Sequence, residues 1–365
     1  MRMQFVDLGK QYREYKKEID QAIQGVLDST QFINGDEVSS LEAELADFAG
    51  VSYAIGCSSG TDALLVPLMA KGVKPGDEIL VPAFTYFATA SMVSHWGARP
   101  VFVDVDPITF NIDPAKIEEK ITNKTRGIFA VSLYGQPADF DAINSIAKAH
   151  GLWVLEDAAQ SFGARSGSKC SCNLSEIATT SFFPAKPLGC YGDGGAMFTN
   201  DPDLADLLRK YINHGQSKRY HHRYVGINGR LDTIQAAILR VKLRNFSQEI
   251  ELRNEAAAYY TKHLQDIVET PVIIDGNVSS WAQYTIKVEN RDKVREVLST
   301  KEIPTSVHYP MPLYKQEAFS YLKDSGPYPV SDSLSTQVLS LPMHAFITRN
   351  EQDEVIASIR EAIHG

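Results

Sequence analysis

Between residues 53 and about 200, short apolar runs alternate with helical patterns, and this alternation restricts the chain to one broad architecture. The runs at 79–81, 101–105, 128–133 and 153–155 are too short for helices and lack polar alternation, so they read as strands covered on both faces. Helical segments at 85–96 and 140–150 lie between them. Such a series predicts an α/β fold with a large, mostly parallel sheet under helices. Ahead of it, Ile19, Ala22, Ile23 and Val26 repeat at helical spacing, in a helix that ends near Ser29 and Thr30. A second helix spans 37–48. Beyond a further helix at 201–211, Asp232 with Gln235 three residues later predicts the capped start of a long helix through Ile234, Ala237, Ile238 and Val241. A strand at 282–288 and helices at 291–299 and 351–363 predict a smaller C-terminal α+β domain, with the division at 1–240 and 241–365.

The 365 residues suffice for one large and one small domain. A formal net charge of -9 argues against a nucleic-acid partner, which needs a cationic face. No run approaches the roughly 18 apolar residues of a membrane span, and the charged start MRMQFVDLGKQYREY lacks an apolar signal core, so a cytoplasmic protein is expected. Four cysteines fit a reducing compartment. Cys170 and Cys172 have no second close pair beside them, so no metal site is expected.

Chemistry concentrates in two segments, LWVLEDAAQSFGA from Leu152 and SFFPAKPLGCYGDGG from Ser181. Asp157 closes an apolar strand, at the carboxyl end where open α/β sheets bind ligands. Lys186 follows a second strand and is flanked by Pro184, Pro187 and four glycines. An isolated lysine of this kind is ordinarily a surface residue, and an isolated aspartate a helix cap. Together they fit a Schiff-base lysine and a carboxylate for a cationic ring nitrogen, the pair that pyridoxal phosphate (PLP) requires. Lys186 would then also move a proton. GCSSGTDALL, from Gly56, opens a helix whose first amides suit a phosphate, with Gly60, Thr61 and Ser181 as donors; capping alone is the plainer account. Phe84 is placed to stack on the ring or to lie in the core, and Gln160 to reach the ring's phenolic oxygen or to face solvent. The basic run Lys218, Arg219, His221, His222 and Arg223, with Arg230, is either a solvated loop or an anion site.

EDAAQSFGA, SFFPAKPLG, GDGGAMFTND, the HGQ turn and GRLDTIQAAIL together resemble the DegT/StrS family of PLP-dependent nucleotide-sugar aminotransferases, from FVDLGKQY to LSLPMH. The resemblance implies the aspartate aminotransferase type I fold of PLP-dependent transferases. It also implies a homodimer with shared active sites, in which Asn228 reaches the PLP phosphate of the other subunit. Among subgroups, SCNLSEIATTSFFPAKPLGCYGDGGA, HGQSKRYHH and VHYPMPL are most similar to enzymes that aminate the 3-oxo group of UDP-2-acetamido-2-deoxy-glucuronate with L-glutamate, for O-antigen and lipopolysaccharide synthesis. That likeness makes Arg230, His308 and Tyr309 sugar-nucleotide contacts, with Arg230 suited to the uronate carboxylate. Phe32 and Ala185 stand where the subgroup can carry hydroxyl residues. The same chemistry on UDP-3-oxo-N-acetylglucosamine or a dTDP-linked keto-6-deoxy sugar is the neighbouring expectation. A regulatory protein of PLP fold is the non-enzymatic one, opposed by retention of Lys186 with Asp157.

Overall fold

The computed structural model describes residues 3–364. Seven strands form the main sheet: β1 (Tyr53–Cys57), β2 (Glu78–Pro82), β3 (Arg99–Val103), β4 (Thr125–Val131), β5 (Trp153–Asp157), β6 (Ile177–Ser181) and β7 (Gly195–Thr199). Their spatial order is β1-β7-β6-β5-β4-β2-β3. β7 runs antiparallel to β1 and β6, and the remaining neighbours are parallel. Strands β4 and β5 are almost wholly buried, as their unbroken apolar runs require.

The helices are α1 (Leu8–Ser29), α2 (Asp36–Ala49), α3 (Gly60–Ala70), α4 (Phe87–His95), α5 (Phe140–Ala149), α6 (Pro202–Tyr211), α7 (Thr233–Arg244), α8 (Phe246–Leu264), α9 (Arg291–Thr300), α10 (Pro329–Gln337) and α11 (Arg349–His364). On one face of the sheet Leu64, Leu68, Val93 and Leu208 from α3, α4 and α6 pack on Ile55, Val81, Phe129 and Met197. On the other, Leu41, Leu45, Leu239 and Leu243 from α2 and α7 meet Phe162, Phe182 and Phe198. A separate core gathers α8, α9 and α11 around two antiparallel strands, β8 (Tyr284–Lys287) and β9 (Val338–Leu341). Strand β9 and helix α10 escape the sequence reading. Among the described residues, no helix is long and apolar enough to cross a membrane.

The long helix expected after Asp232 is in fact two, α7 and α8, which meet at Asn245. Asp232 holds the cap position, but its side chain makes no capping bond. Gln235 turns instead to the glycine-rich loop, accepting from Tyr191 N at 2.8 Å and donating to Tyr191 O at 3.3 Å.

Candidate active site

The parallel strands β4, β5 and β6 end at one edge of the sheet, and Asp157 is the last residue of β5. Its carboxylate is 4% exposed. Thr89 Oγ1, on α4, donates to Oδ2 at 2.9 Å, and the Ala159 amide donates to Oδ1 at 3.1 Å. Burial raises the Asp157 pKa, while Ala159, Thr89 and the nearby Lys186 ammonium oppose the rise. Lys186 responds in the opposite sense. Burial lowers its pKa, and the Asp157 charge restrains the fall. Lys186 Nζ has no hydrogen bond or ion pair of its own among the described residues, so the amine is free to take up a carbonyl carbon.

The lysine loop is held from below. Lys242, 1% exposed on α7, donates to Gly189 O at 2.6 Å and lies over the Tyr191 ring at 4.2 Å. A side chain at Gly189 would place Cβ 2.4 Å from Pro184 O, so the loop can close this tightly only around glycine. Lys242 carries no signature in the sequence, because an inward-facing lysine on an amphipathic helix has no distinguishing spacing.

Gly60 is the first residue of α3, whose N-cap Ser59 accepts from Asp62 N at 3.0 Å. The Gly60 and Thr61 amides therefore remain available at the positive end of the helix. A Cβ on Gly60 would stand 2.6 Å from Ser181 Cβ, so the missing side chain lets Ser181 Oγ approach the same two amides. This cradle fits a phosphate, and the Asp157 carboxylate fits a protonated ring nitrogen, so the residues present suit PLP.

Gln160 lies beside Asp157, 4% exposed. Its Oε1 accepts from Tyr134 N at 2.7 Å, and its Nε2 donates to Tyr309 Oη at 3.1 Å. His308, next to Tyr309, is pushed down to about 4 by burial first and then by the Lys186 charge. Phe84 requires correction as a stacking ring. It is 1% exposed and packed among Val105, Val131 and Leu133, so it has no free face. The chain leaves the core two residues later. Tyr86, 56% exposed at the N-cap of α4, lies 6.2 Å from the Tyr309 ring, about as close as Phe84 at 6.1 Å, and of the two only Tyr86 has an open face.

Phe32, Asn228 and Arg230 form a second group. Arg230 pairs with Cys57 in a β-bridge, and Asn228 pairs with Asn213. Arg230 Nη1 donates to Asn213 Oδ1 at 2.8 Å, while its buried Nε has no partner. Phe32 is 44% exposed, and its carbonyl accepts from Thr233 N at 3.1 Å. Among the described residues, no side-chain bond joins these three to Asp157, Lys186 or His308 of the same chain. The basic run on the short hairpin of Gln216–Lys218 and His221–His222 is exposed.

The chain is 54% identical over 346 residues to the UDP-2-acetamido-2-deoxy-3-oxo-D-glucuronate aminotransferase of Pseudomonas aeruginosa, which covers 94% of this chain and 96% of that one. It is 39% identical to the UDP-N-acetyl-3-dehydro-alpha-D-glucosamine 3-aminotransferase of Acidithiobacillus ferrooxidans, over 99% of this chain and 98% of the relative. The crystal structure of S. venezuelae DesV, in complex with a ketimine intermediate, superposes with a TM-score of 0.97 at 39% identity, covering 100% of this chain and 99% of that one. Residues 13–360 match the family as a whole, and the chain belongs to the DegT/DnrJ/EryC1/StrS aminotransferase family.

Proposed function

We propose that this aminotransferase uses PLP to move the amino group of L-glutamate onto the 3-oxo group of UDP-2-acetamido-2-deoxy-3-oxo-glucuronate. The observation that carries the reading is the likeness to the Pseudomonas aeruginosa enzyme over nearly the whole chain. The buried Asp157 and the partly buried Lys186, whose ammonium loses hydration there, support the chemistry. When bound, PLP supplies an electron-accepting ring and a carbon that carries the amino group between donor and acceptor. Asp157 holds the proton on the ring nitrogen, positioned by Thr89. Gly60, Thr61 and Ser181 hold the phosphate, and Gln160 reaches the ring's edge from beside Tyr309. Lys186 Nζ, its pKa lowered by burial, gains access to the neutral form and carries a proton to and from the reacting carbon.

The separation of Asn228 and Arg230 from Lys186 within one chain is consistent with their serving a second subunit. In a homodimer, Asn228 of the partner subunit would reach the phosphate, and Arg230 of the partner subunit would grip the uronate carboxylate bidentately. The subgroup resemblance supports a role for the product in O-antigen or lipopolysaccharide synthesis, with the enzyme in the cytoplasm as part of the same proposal.

Borohydride reduction of the cofactor-loaded protein, followed by peptide mapping, should label Lys186. Mass spectrometry of the purified protein with glutamate and the 3-oxo uronate should show the 3-amino product. Label on another lysine would refute the site, and product from the neutral 3-oxo sugar alone would refute the substrate.

A further inference from the structure

Gly189 closes the lysine loop, and it is also the residue least able to hold itself in place. The neck of the loop is set by Cys190 N, which donates to Phe182 O at 2.8 Å, and the near limb by Lys186 N, which donates to Phe183 O at 2.8 Å. Beyond Lys186, Gly189 has no side chain to restrain its peptide planes, and a Cβ there would strike Pro184 O at 2.4 Å. The returning limb therefore needs an outside hold. Helix α7 supplies one at two points: Lys242 Nζ donates to Gly189 O at 2.6 Å, and Gln235 bonds both the amide and the carbonyl of Tyr191. The two side chains are two helical turns apart on one face of α7.

Of the two, Lys242 is the costly choice. It is 1% exposed, its Nζ lies 4.2 Å from the centre of the Tyr191 ring, and it forms no ion pair among the described residues. Burying an ammonium without a counterion costs free energy that a methionine of similar length would not. Packing alone does not call for the charge. What the charge meets does, because a carbonyl oxygen and the face of an aromatic ring both hold a cation more strongly than a neutral donor.

We propose that Lys242 is a positioning residue for Lys186: its ammonium, together with Gln235, pins the returning limb of the loop to α7 and so fixes where the Lys186 amine meets the carbonyl carbon of PLP. This rests on the cofactor reading above and extends it to a residue on a separate helix. Burial lowers the Lys242 pKa to about 8, opposed by Glu249 and Cys190, so the hold is strongest below that pH and weakens above it. The titratable groups packed about this part of α7 are Glu249 of α8, Cys190 and Tyr191 of the loop, and Tyr12 and Tyr15 of α1. Burial pushes Cys190 up to about 11 and Tyr191 up to about 12, and raises Tyr15 as well, so none of these three loses its proton near pH 8.

The test follows the Lys186 amine in the full-length protein freed of cofactor. Added PLP condenses with the amine, forming a C=N bond while the aldehyde oxygen leaves as water. Borohydride then reduces that bond to a stable amine, and peptide mapping measures the label. Lys242→Met should slow labelling of Lys186 about tenfold at pH 7, the effect of one hydrogen bond to a charged group. Affinity for pyridoxamine phosphate, which fits the same cradle but has no carbonyl for Lys186 to attack, should match wild type. The ratio of wild-type to variant labelling should shrink as the pH rises through about 8. If pyridoxamine phosphate affinity falls as far as labelling does, Lys242 serves only the fold; if the ratio ignores pH, its length rather than its charge is the cause. Either result overturns the proposal. Should the variant fail to fold, hydrogen exchange in wild type decides: the Cys190 and Tyr191 amides should lose protection relative to β4 and β5 as the pH passes about 8, and unchanged relative protection overturns the hold. No label on Lys186 in wild type would refute the cofactor reading itself.

Discussion

Thr89 Oγ1 donates to Asp157 Oδ2 at 2.9 Å, so a hydroxyl on the helix that follows β2 orients a carboxylate at the end of β5. Thr89 is 0% exposed and occupied by this bond alone, which makes it a positioning residue for the candidate ring-nitrogen partner.

Thr89→Val should therefore fold yet lose turnover by about tenfold, the effect of one hydrogen bond to a charged group. The loss should deepen as the pH is lowered. Asp157 must be ionised to hold the ring proton, burial already raises its pKa, and removing a donor raises it further. Thr89→Ser should restore both the rate and the acidic limb. A pH-independent loss would mean that the valine acts through packing.

Asp157→Asn should have a larger effect on kcat than Thr89→Val, with the cofactor retained. The amide removes the charge that keeps the ring nitrogen protonated, while the Gly60, Thr61 and Ser181 cradle is untouched. Absorbance of the bound cofactor measures its retention, and turnover near wild type would refute the role given to Asp157.

Gly60→Ala tests the cradle. The added Cβ would fall 2.6 Å from Ser181 Cβ and 3.2 Å from its Cα, forcing α3 away from β6. Affinity for PLP should drop at least tenfold, since both phosphate donors shift together. Adding Ser181→Gly removes the nearest clash and should recover part of the affinity, although one hydroxyl donor is lost. Equilibrium dialysis of both variants measures this, and no recovery would place the damage outside the phosphate cradle.

How far the site was legible depended on whether a side chain's role follows from its place along the chain. Asp157 terminates an apolar run and Lys186 sits among glycines, so sequence pattern exposes both. Phe84 and Tyr86 were not separable in that way. Ala83 N still bonds to Val103 O beyond the end of β2, and Ala83, Phe84 and Thr85 are all within 2% of complete burial. Where the chain leaves the core is a tertiary fact, and only Tyr86 lies past that point. Thr89 and Lys242 escaped for a related reason, because each acts across a gap of dozens of residues on a partner that spacing cannot reveal. The two-helix break at Asn245 was hidden because α7 and α8 both carry helical patterns up to the joint.

Glu156 offers a stability test on the strand residue beside Asp157. It is 0% exposed, and burial raises its pKa from 4.5 to about 7 against bonds from Ser171, Cys172 N and Leu174 N. A carboxyl raised in the folded state takes up protons on folding between these two values. Its stabilising contribution is present below pH 4.5 and is lost as the pH rises through 7. Glu156→Gln cannot titrate, so the variant should gain on wild type by on the order of 3 kcal/mol between pH 4.5 and 8. Urea unfolding at a series of pH values reads the difference, and parallel curves would show that Glu156 stays ionised.

The last prediction separates the two sugars. Arg230 Nη1 is held by Asn213 at 2.8 Å, and its buried Nε has no partner, so the guanidinium is oriented with donor capacity unused. A uronate carboxylate would satisfy that capacity with parallel charge-assisted bonds, which a neutral hydroxymethyl group cannot replace. Arg230→Ala should lower kcat/KM for UDP-2-acetamido-2-deoxy-3-oxo-glucuronate by about 2–3 kcal/mol, roughly 30- to 150-fold. It should change little for UDP-3-oxo-N-acetylglucosamine. Because Arg230 serves the other subunit in this reading, a mixed dimer of Arg230→Ala with Lys186→Ala should keep one site with both groups intact and regain uronate turnover. Equal losses for the two sugars would assign Arg230 to the diphosphate or to the fold and leave the uronate without its reader. The neutral-sugar reading would then be the better account of the site.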